Sequence, residues 1–224
     1  MLFGDLPITE MSITHNSFDN ILDKEPEAID LKSSIIKTLQ HPTVASKSFL
    51  ITIGDRTVGG MVARDQFIGP FQVPVSDYSL SLRSFTSTTG EVLSIGEKPT
   101  LALTNPAASM RMALAEALTN MIGVVIKGLN YVQVSANWMA ASGEKQQDIA
   151  LRDGVEALSK MSVDLKVSIP VGKDSLSMKT KWSDNGNELE VTSPLSGVIT
   201  AMAPVEDITV SVTPELNLEE DSEI

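Results

Sequence analysis

Glu116 and Asn120 are four residues apart in the run MRMALAEALTNMIGVVIKG, where Glu116 is the one charged residue from Met112 to Ile126. On a helix, that spacing stacks the two side chains one turn apart on a single face. A carboxylate in so apolar a setting has to be paired, protonated or bound to a metal. One reading is an acid paired with Arg111 or another cation, with Asn120 hydrogen-bonded nearby. The other is an oxygen-donor site of the kind that suits magnesium, which uses one or two carboxylates together with phosphates and water. Ser76-Asp77 precedes an alternating segment. It is either a turn or a second carboxylate brought to the helix by a sheet. Val171-Gly172-Lys173-Asp174-Ser175 follows Pro170. It is either a charged turn or a phosphate contact through Lys173 and backbone N–H groups. It is not a Walker loop, because the spacing of that motif is absent.

Other residues have plainer explanations. Gly54-Asp55-Arg56 reads as a turn, and Trp138 as a packing residue. His15 and His41 are too far apart to form a metal pair by spacing. No Ser/His/Asp arrangement is visible. The absence of cysteine excludes a disulfide scaffold, a thiolate zinc site and a thiol nucleophile within these residues. The net charge of −12 argues against nonspecific nucleic-acid binding, which depends on basic patches. Part of that charge is local: Glu215, Glu219, Glu220, Asp221 and Glu223 read as a solvated acidic tail. No apolar run is long enough to span a bilayer, and MLFGDLPITEMS lacks the pattern of a signal peptide. The expected location is therefore cytoplasmic.

These residues need elements to position them. Asp30–Gln40 has an acidic start and apolar residues at helical spacing, within a first segment that reads as a connecting arm. Ser48–Ile53 and Thr57–Ala63 are strand candidates, and the Gly59-Gly60 pair in the second suggests a bulge or a close backbone approach. Tyr78–Phe85 alternates as a half-exposed strand. Val92–Ile95 is a short strand after a turn at Thr88–Gly90. Asn105-Pro106 offers a cap and a first-turn proline for a helix running to Lys127 and stopped by Gly128. Further strands are expected at Val132–Ala136, Leu165–Ile169, Glu188–Thr192 and Gly197–Ala203. A helix is expected at Gln146–Met161 and a hairpin turn at Thr180–Asn187. Two main helices among six or seven strands predict an α+β sandwich with both helices on one face. The sheet carries apolar residues on both faces, so it also needs a partner sheet.

In this order, several segments resemble a known family: Gly54-Asp55-Arg56-Thr57-Val58-Gly59-Gly60, Ala63-Arg64-Asp65-Gln66, Gly69-Pro70 with Gln72-Val73-Pro74-Val75, Ala115-Glu116-Ala117-Leu118-Thr119-Asn120, Ser135–Ala140, Ile169–Ser175, Ser177–Thr180 and Thr192–Leu195. They are similar to phosphoribosylformylglycinamidine synthase in its large single-chain form, over roughly residues 46–212. The resemblance implies an ATP- and glutamine-dependent ligase of purine synthesis. That ligase converts formylglycinamide ribonucleotide to the amidine, with a phosphorylated amide intermediate and ammonia from a glutaminase domain. It implies residues 1–46 as a linker arm and 213–224 as an acidic tail. Residues 47–212 would be a subdomain like the N-terminal domain of aminoimidazole ribonucleotide synthetase, the first subdomain of the family's second synthetase-like half. There it implies an auxiliary ADP–magnesium site, with Asp77, Glu116 and Asn120 as metal ligands and Ser76 as a nucleotide contact, to which Lys173 is added as a phosphate cation. Further ligands and the glutaminase belong to other domains of the full-length chain, so the chain alone is expected to be inactive. Its sheet is expected to close a barrel with a partner, and alone to form a homodimer.

Overall fold

The computed structural model describes residues 30–46, 48–49, 54, 57 and 59–213. Much of the first strand candidate, Leu50–Ile53, falls outside them, as do Asp55, Arg56 and Val58 of the Gly54–Gly60 motif and residues 1–29 and 214–224. Ser48 and Phe49 are helical rather than the start of a strand.

Among the described residues, three α-helices of ten residues or more and eight strands form a mixed α+β architecture with a mostly antiparallel sheet. The elements are α1 (Leu31–Gln40), β1 (Val62–Arg64), β2 (Tyr78–Leu82), β3 (Gly90–Glu97), α2 (Pro106–Asn120), β4 (Gln133–Met139), α3 (Lys145–Leu165), β5 (Ser168–Ser175), β6 (Lys179–Asp184), β7 (Asn187–Thr192) and β8 (Ser196–Val205). Six strands form one sheet in the order β1-β2-β3-β8-β4-β5, and β6 and β7 form a separate antiparallel pair. Among the described residues, no helix is long and apolar enough to cross a membrane. Chain contacts group into two compact units. One includes Gly96–Glu116 and Val134–Ile199; the other includes Leu22–Ile95, Ala117–Gln133 and Thr200–Ile224.

In the first unit, α2 begins as its sequence dictates. Asn105 Oδ1 accepts from Ala108 N–H at 2.9 Å, and Pro106 occupies the first helical position. Met110, Ala113 and Leu114 are fully buried. Gly154 lets α3 lie close: a Cβ there would meet Met110 and Leu195 side chains at 2.9 Å each. The α3 helix continues four residues past the expected Met161, to a left-handed cap at Lys166 (φ 58°). The β5 strand runs through Pro170 to Ser175 instead of ending at the proline. It lies last in the sheet order, where a missing N–H is tolerated. The expected turn at Thr180–Asn187 is mostly strand. Only Asn185 (φ 49°) and Gly186 (φ 82°) turn, the positive-φ pair of a tight hairpin.

In the second unit, β2 and β3 pair in the register Leu80↔Val92, and both residues are buried. The irregular register between Val62 and Arg64 follows Gly60, whose φ is 70°. The expected helix to Lys127 ends seven residues early, at Asn120. Ile122 to Ile126 is β-branched apart from Gly123, a poor composition for a helix. Gly123 O accepts instead from Val212 N–H at 2.7 Å, and Ile126 bridges to Val205. The α1 helix has Asp30 as its cap, and its carboxylate accepts from Ser33 N–H at 3.1 Å. None of its residues is buried.

Candidate functional site

The loop before β2 places Ser76 and Asp77. Gly69 (φ 79°) and Gln72 (φ 50°) turn the chain, and Phe67 bridges to Val75. Ile68 N–H donates to Pro74 O, and Ser76 N–H to Gln66 O, each at 2.9 Å. The turn chemistry of Gly69-Pro70 thus delivers Asp77 to the start of β2. The Ser76 hydroxyl donates to Tyr78 O at 2.6 Å, directed at its own backbone. Beside them is a cleft of about 480 Å³, lined among others by Arg64, Ser76, Asp77, Tyr78, Ser79 and Ile95. Arg64 lies 5.7 Å from the centre of the Tyr78 ring and donates to Ser211 Oγ at 2.6 Å.

Asn120 connects to this cleft through the main chain. Its Nδ2 donates at 2.9 Å to the carbonyl of Ile95, a cleft residue. That bond leaves Oδ1 as the acceptor end of the amide.

Glu116, one turn earlier on α2, belongs to the other unit. Its Oε1 accepts from Lys98 Nζ at 2.5 Å and its Oε2 from Glu97 N–H at 2.8 Å. Both side chains remain partly exposed, Lys98 at 38% and Glu116 at 30%. Burial, the largest single influence, pushes the Glu116 pKa up. The Lys98 hydrogen bond, the Glu97 N–H and the Lys98 charge together outweigh it and hold the group below its ordinary value of 4.5. Glu116 is therefore ionised at neutral pH. Lys98 is a cation that pairs with it.

Lys173 stands on β5, where Nζ donates to Ser175 Oγ at 2.7 Å. It lines a shallow hollow of about 450 Å³ with Ala136, Trp138 and Gly172. Gly172 is required there, since a Cβ would lie 2.4 Å from Ala136 O.

Within its own unit, each candidate is therefore placed: Ser76 and Asp77 line the cleft with Ile95, the Asn120 amide donates to the Ile95 carbonyl, Glu116 meets Lys98, and Lys173 is on the strand at the end of the sheet order. Among the described residues, no three His, Cys, Asp or Glu side chains converge on one point. The sequence reading does not single out Lys98 or Arg64. A signal existed for Lys98, a cation directly before Pro99, the proline that opens a short 3-10 helix ahead of α2.

These features define an α+β domain with oxygen donors around a cleft and an ionised acid on a mostly apolar helix. Residues 46–204 match the FGAR-AT PurM_N-like domain, and the chain belongs to that family. Among solved structures, the chain is similar to PurLQS from Thermotoga maritima (TM-score 0.55, 14% identity, 88% of this chain and 29% of that one). It is also similar to Thermotoga maritima PurL complexed with ATP (TM-score 0.53, 14% identity, 92% of this chain and 29% of that one). A third is the same PurL complexed with FGAR (TM-score 0.53, 14% identity, 88% of this chain and 28% of that one). The likeness at these identities is one of fold, and this chain spans less than a third of each.

Proposed function

We propose that the chain is part of a phosphoribosylformylglycinamidine synthase, the ATP- and glutamine-dependent ligase that converts formylglycinamide ribonucleotide to formylglycinamidine ribonucleotide in de novo purine biosynthesis. In this reading residues 1–46 are a linker arm, residues 47–212 a subdomain with its two main helices on one sheet face, and residues 213–224 an acidic tail. The subdomain carries part of an auxiliary ADP–magnesium site and is inactive alone. Asp77, Glu116 and Asn120 would hold the metal, Ser76 would contact the nucleotide and Lys173 a phosphate. Magnesium there would neutralise phosphate charge and tie the nucleotide to the domain.

The observation that carries this reading is the arrangement around Ile95. Asp77 shares the cleft with Ile95, whose carbonyl orients the Asn120 amide. The donor set is a carboxylate from Asp77, an ionised carboxylate from Glu116 and an amide oxygen. All are hard oxygen ligands, and so few carboxylates leave room for waters and phosphate, as magnesium requires. Calorimetric titration with ADP and magnesium tests it. Binding by the whole synthase, lost in Glu116→Ala, is expected; equal binding by the variant would sink the assignment.

A second reading is a structural domain that closes a barrel or dimerises without nucleotide. Two observations favour it: Lys98 already neutralises Glu116, and Ile95 is 55% exposed on β3. In this reading the sheet pairs with a partner sheet, and the chain alone forms an isologous homodimer. Light scattering that gives a monomer at high concentration would remove the homodimer, and nucleotide binding in the titration above would remove the purely structural reading.

A further inference from the structure

We infer that Lys98 is a built-in competitor for Glu116, the cation that a metal must displace before that carboxylate can become a ligand. The inference rests on the metal reading proposed above. The two contacts on the carboxylate differ in kind. The Glu97 N–H on Oε2 belongs to the backbone at the end of β3 and is fixed there. The Lys98 ammonium on Oε1 rides on a flexible four-carbon stem. Its main chain is tied independently, because Ser109 Oγ donates to Lys98 O at 2.6 Å. The side chain can therefore leave while the backbone stays. With 38% of it exposed, it already has a path into solvent. A divalent ion brings twice the charge and accepts a carboxylate oxygen directly, so it replaces the ammonium at Oε1 without disturbing Oε2. The pair thus sets a threshold: metal binding has to break it.

The probe is Mn²⁺ alone, followed by electron paramagnetic resonance on the whole synthase, which supplies the ligands that belong to other domains. Lys98→Met is expected to bind Mn²⁺ about two- to fivefold more tightly than wild type, the range set by the strength of a partly exposed pair. Lys98→Arg keeps the competing charge and is expected to stay close to wild type. A second readout follows the Lys98 ammonium by nitrogen-15 NMR with Mg²⁺, which should shift it towards the signal of a free lysine. Circular-dichroism melts establish that each variant is folded. If wild type binds Mn²⁺ and Lys98→Met binds no more tightly, or if the ammonium stays paired with metal bound, the competitor role is wrong and the metal reading stands. If neither protein binds at millimolar Mn²⁺, the metal reading fails and takes this inference with it.

Discussion

Two lysine–glutamate clusters in the same unit solve one electrostatic problem in different ways. On α2, Lys98 serves Glu116, and the carboxylate is also held by the fixed N–H of Glu97. At the β6–β7 hairpin, Lys179 is shared by Glu144 at 2.6 Å and Glu190 at 3.0 Å, with Lys181 3.7 Å from Glu190. The first acid stands on a helix that buries Met110, Ala113 and Leu114, so its position is set by core packing. The hairpin cluster is built across two paired strands whose side chains are mostly exposed. A charge placed by a packed element is held against a fixed backbone donor as well as a cation. A charge placed by exposed strands is secured by having several.

The largest effect should come from breaking the packing that places Glu116. A Cβ at Gly197 would lie 2.2 Å from Met110 Cε and 2.3 Å from its sulfur, and Met110 is fully buried. Gly197→Val therefore overpacks the seat of α2, at a cost of about 1–3 kcal/mol. In a domain of this size that lowers the Tm by about 2–12 °C. The comparison predicts that the Lys98–Glu116 pair loosens with it while the Lys179 cluster survives. Thermal melts together with nitrogen-15 NMR of the two lysine ammoniums check this. Equal disturbance of both clusters would show that the hairpin depends on the same seat.

The next effect is Glu116 itself. Its folded pKa is held below 4.5, so its ionised form stabilises the fold above about pH 4.5, and that stabilisation is lost as the pH falls through the lowered folded value. Glu116→Gln should remove this acid-side decline and cost about 1 kcal/mol at pH 7, a figure already reduced for partial exposure. Urea melts from pH 3 to pH 7 measure both. A variant whose stability falls with acid as steeply as wild type would mean that other carboxylates carry the dependence.

The same contrast explains what was legible in the sequence. The start of α2 was readable because Asn105 and Pro106 act locally, and the Glu116–Asn120 stack because helical spacing is local. The identity of the Glu116 cation was not, because Lys98 is 18 residues away and reaches it only once β3 and α2 are packed. The end of α2 was misread for a related reason. The apolar run through Ile126 keeps a helical look, and the stop involves Val212, 89 residues from Gly123, whose N–H takes the Gly123 carbonyl. Asn185-Gly186 marked its own turn, but polar Thr180–Asp184 looked like loop because a two-stranded pair outside the main sheet does not require alternating burial. Asp77 was visible as an acid just before an alternating strand, whereas its neighbourhood with Ile95 depends on the β2–β3 register.

The smallest effect should be at the hairpin, and its smallness is the point. Glu144→Ala leaves Lys179 still paired with Glu190, so the Tm should move by only about a degree. Glu190→Ala leaves Glu144 in place and should behave alike. The double variant takes both acids from Lys179, and its Tm loss should exceed the sum of the two single losses, the signature of a shared partner. Half-molar salt should shrink all three differences, since these carboxylates are about half exposed. The pH dependence should also have two sides. The Lys179 hydrogen bond holds Glu144 below its ordinary value, so its contribution is lost on acidification below 4.5. Hydrogen bonds to Glu144 and then Glu190 raise Lys179, so its contribution is present below 10.5 and is lost as the pH rises through the raised value. Strictly additive single losses would mean that each acid acts alone, and the contrast with Glu116 would then lie in burial and not in the number of partners.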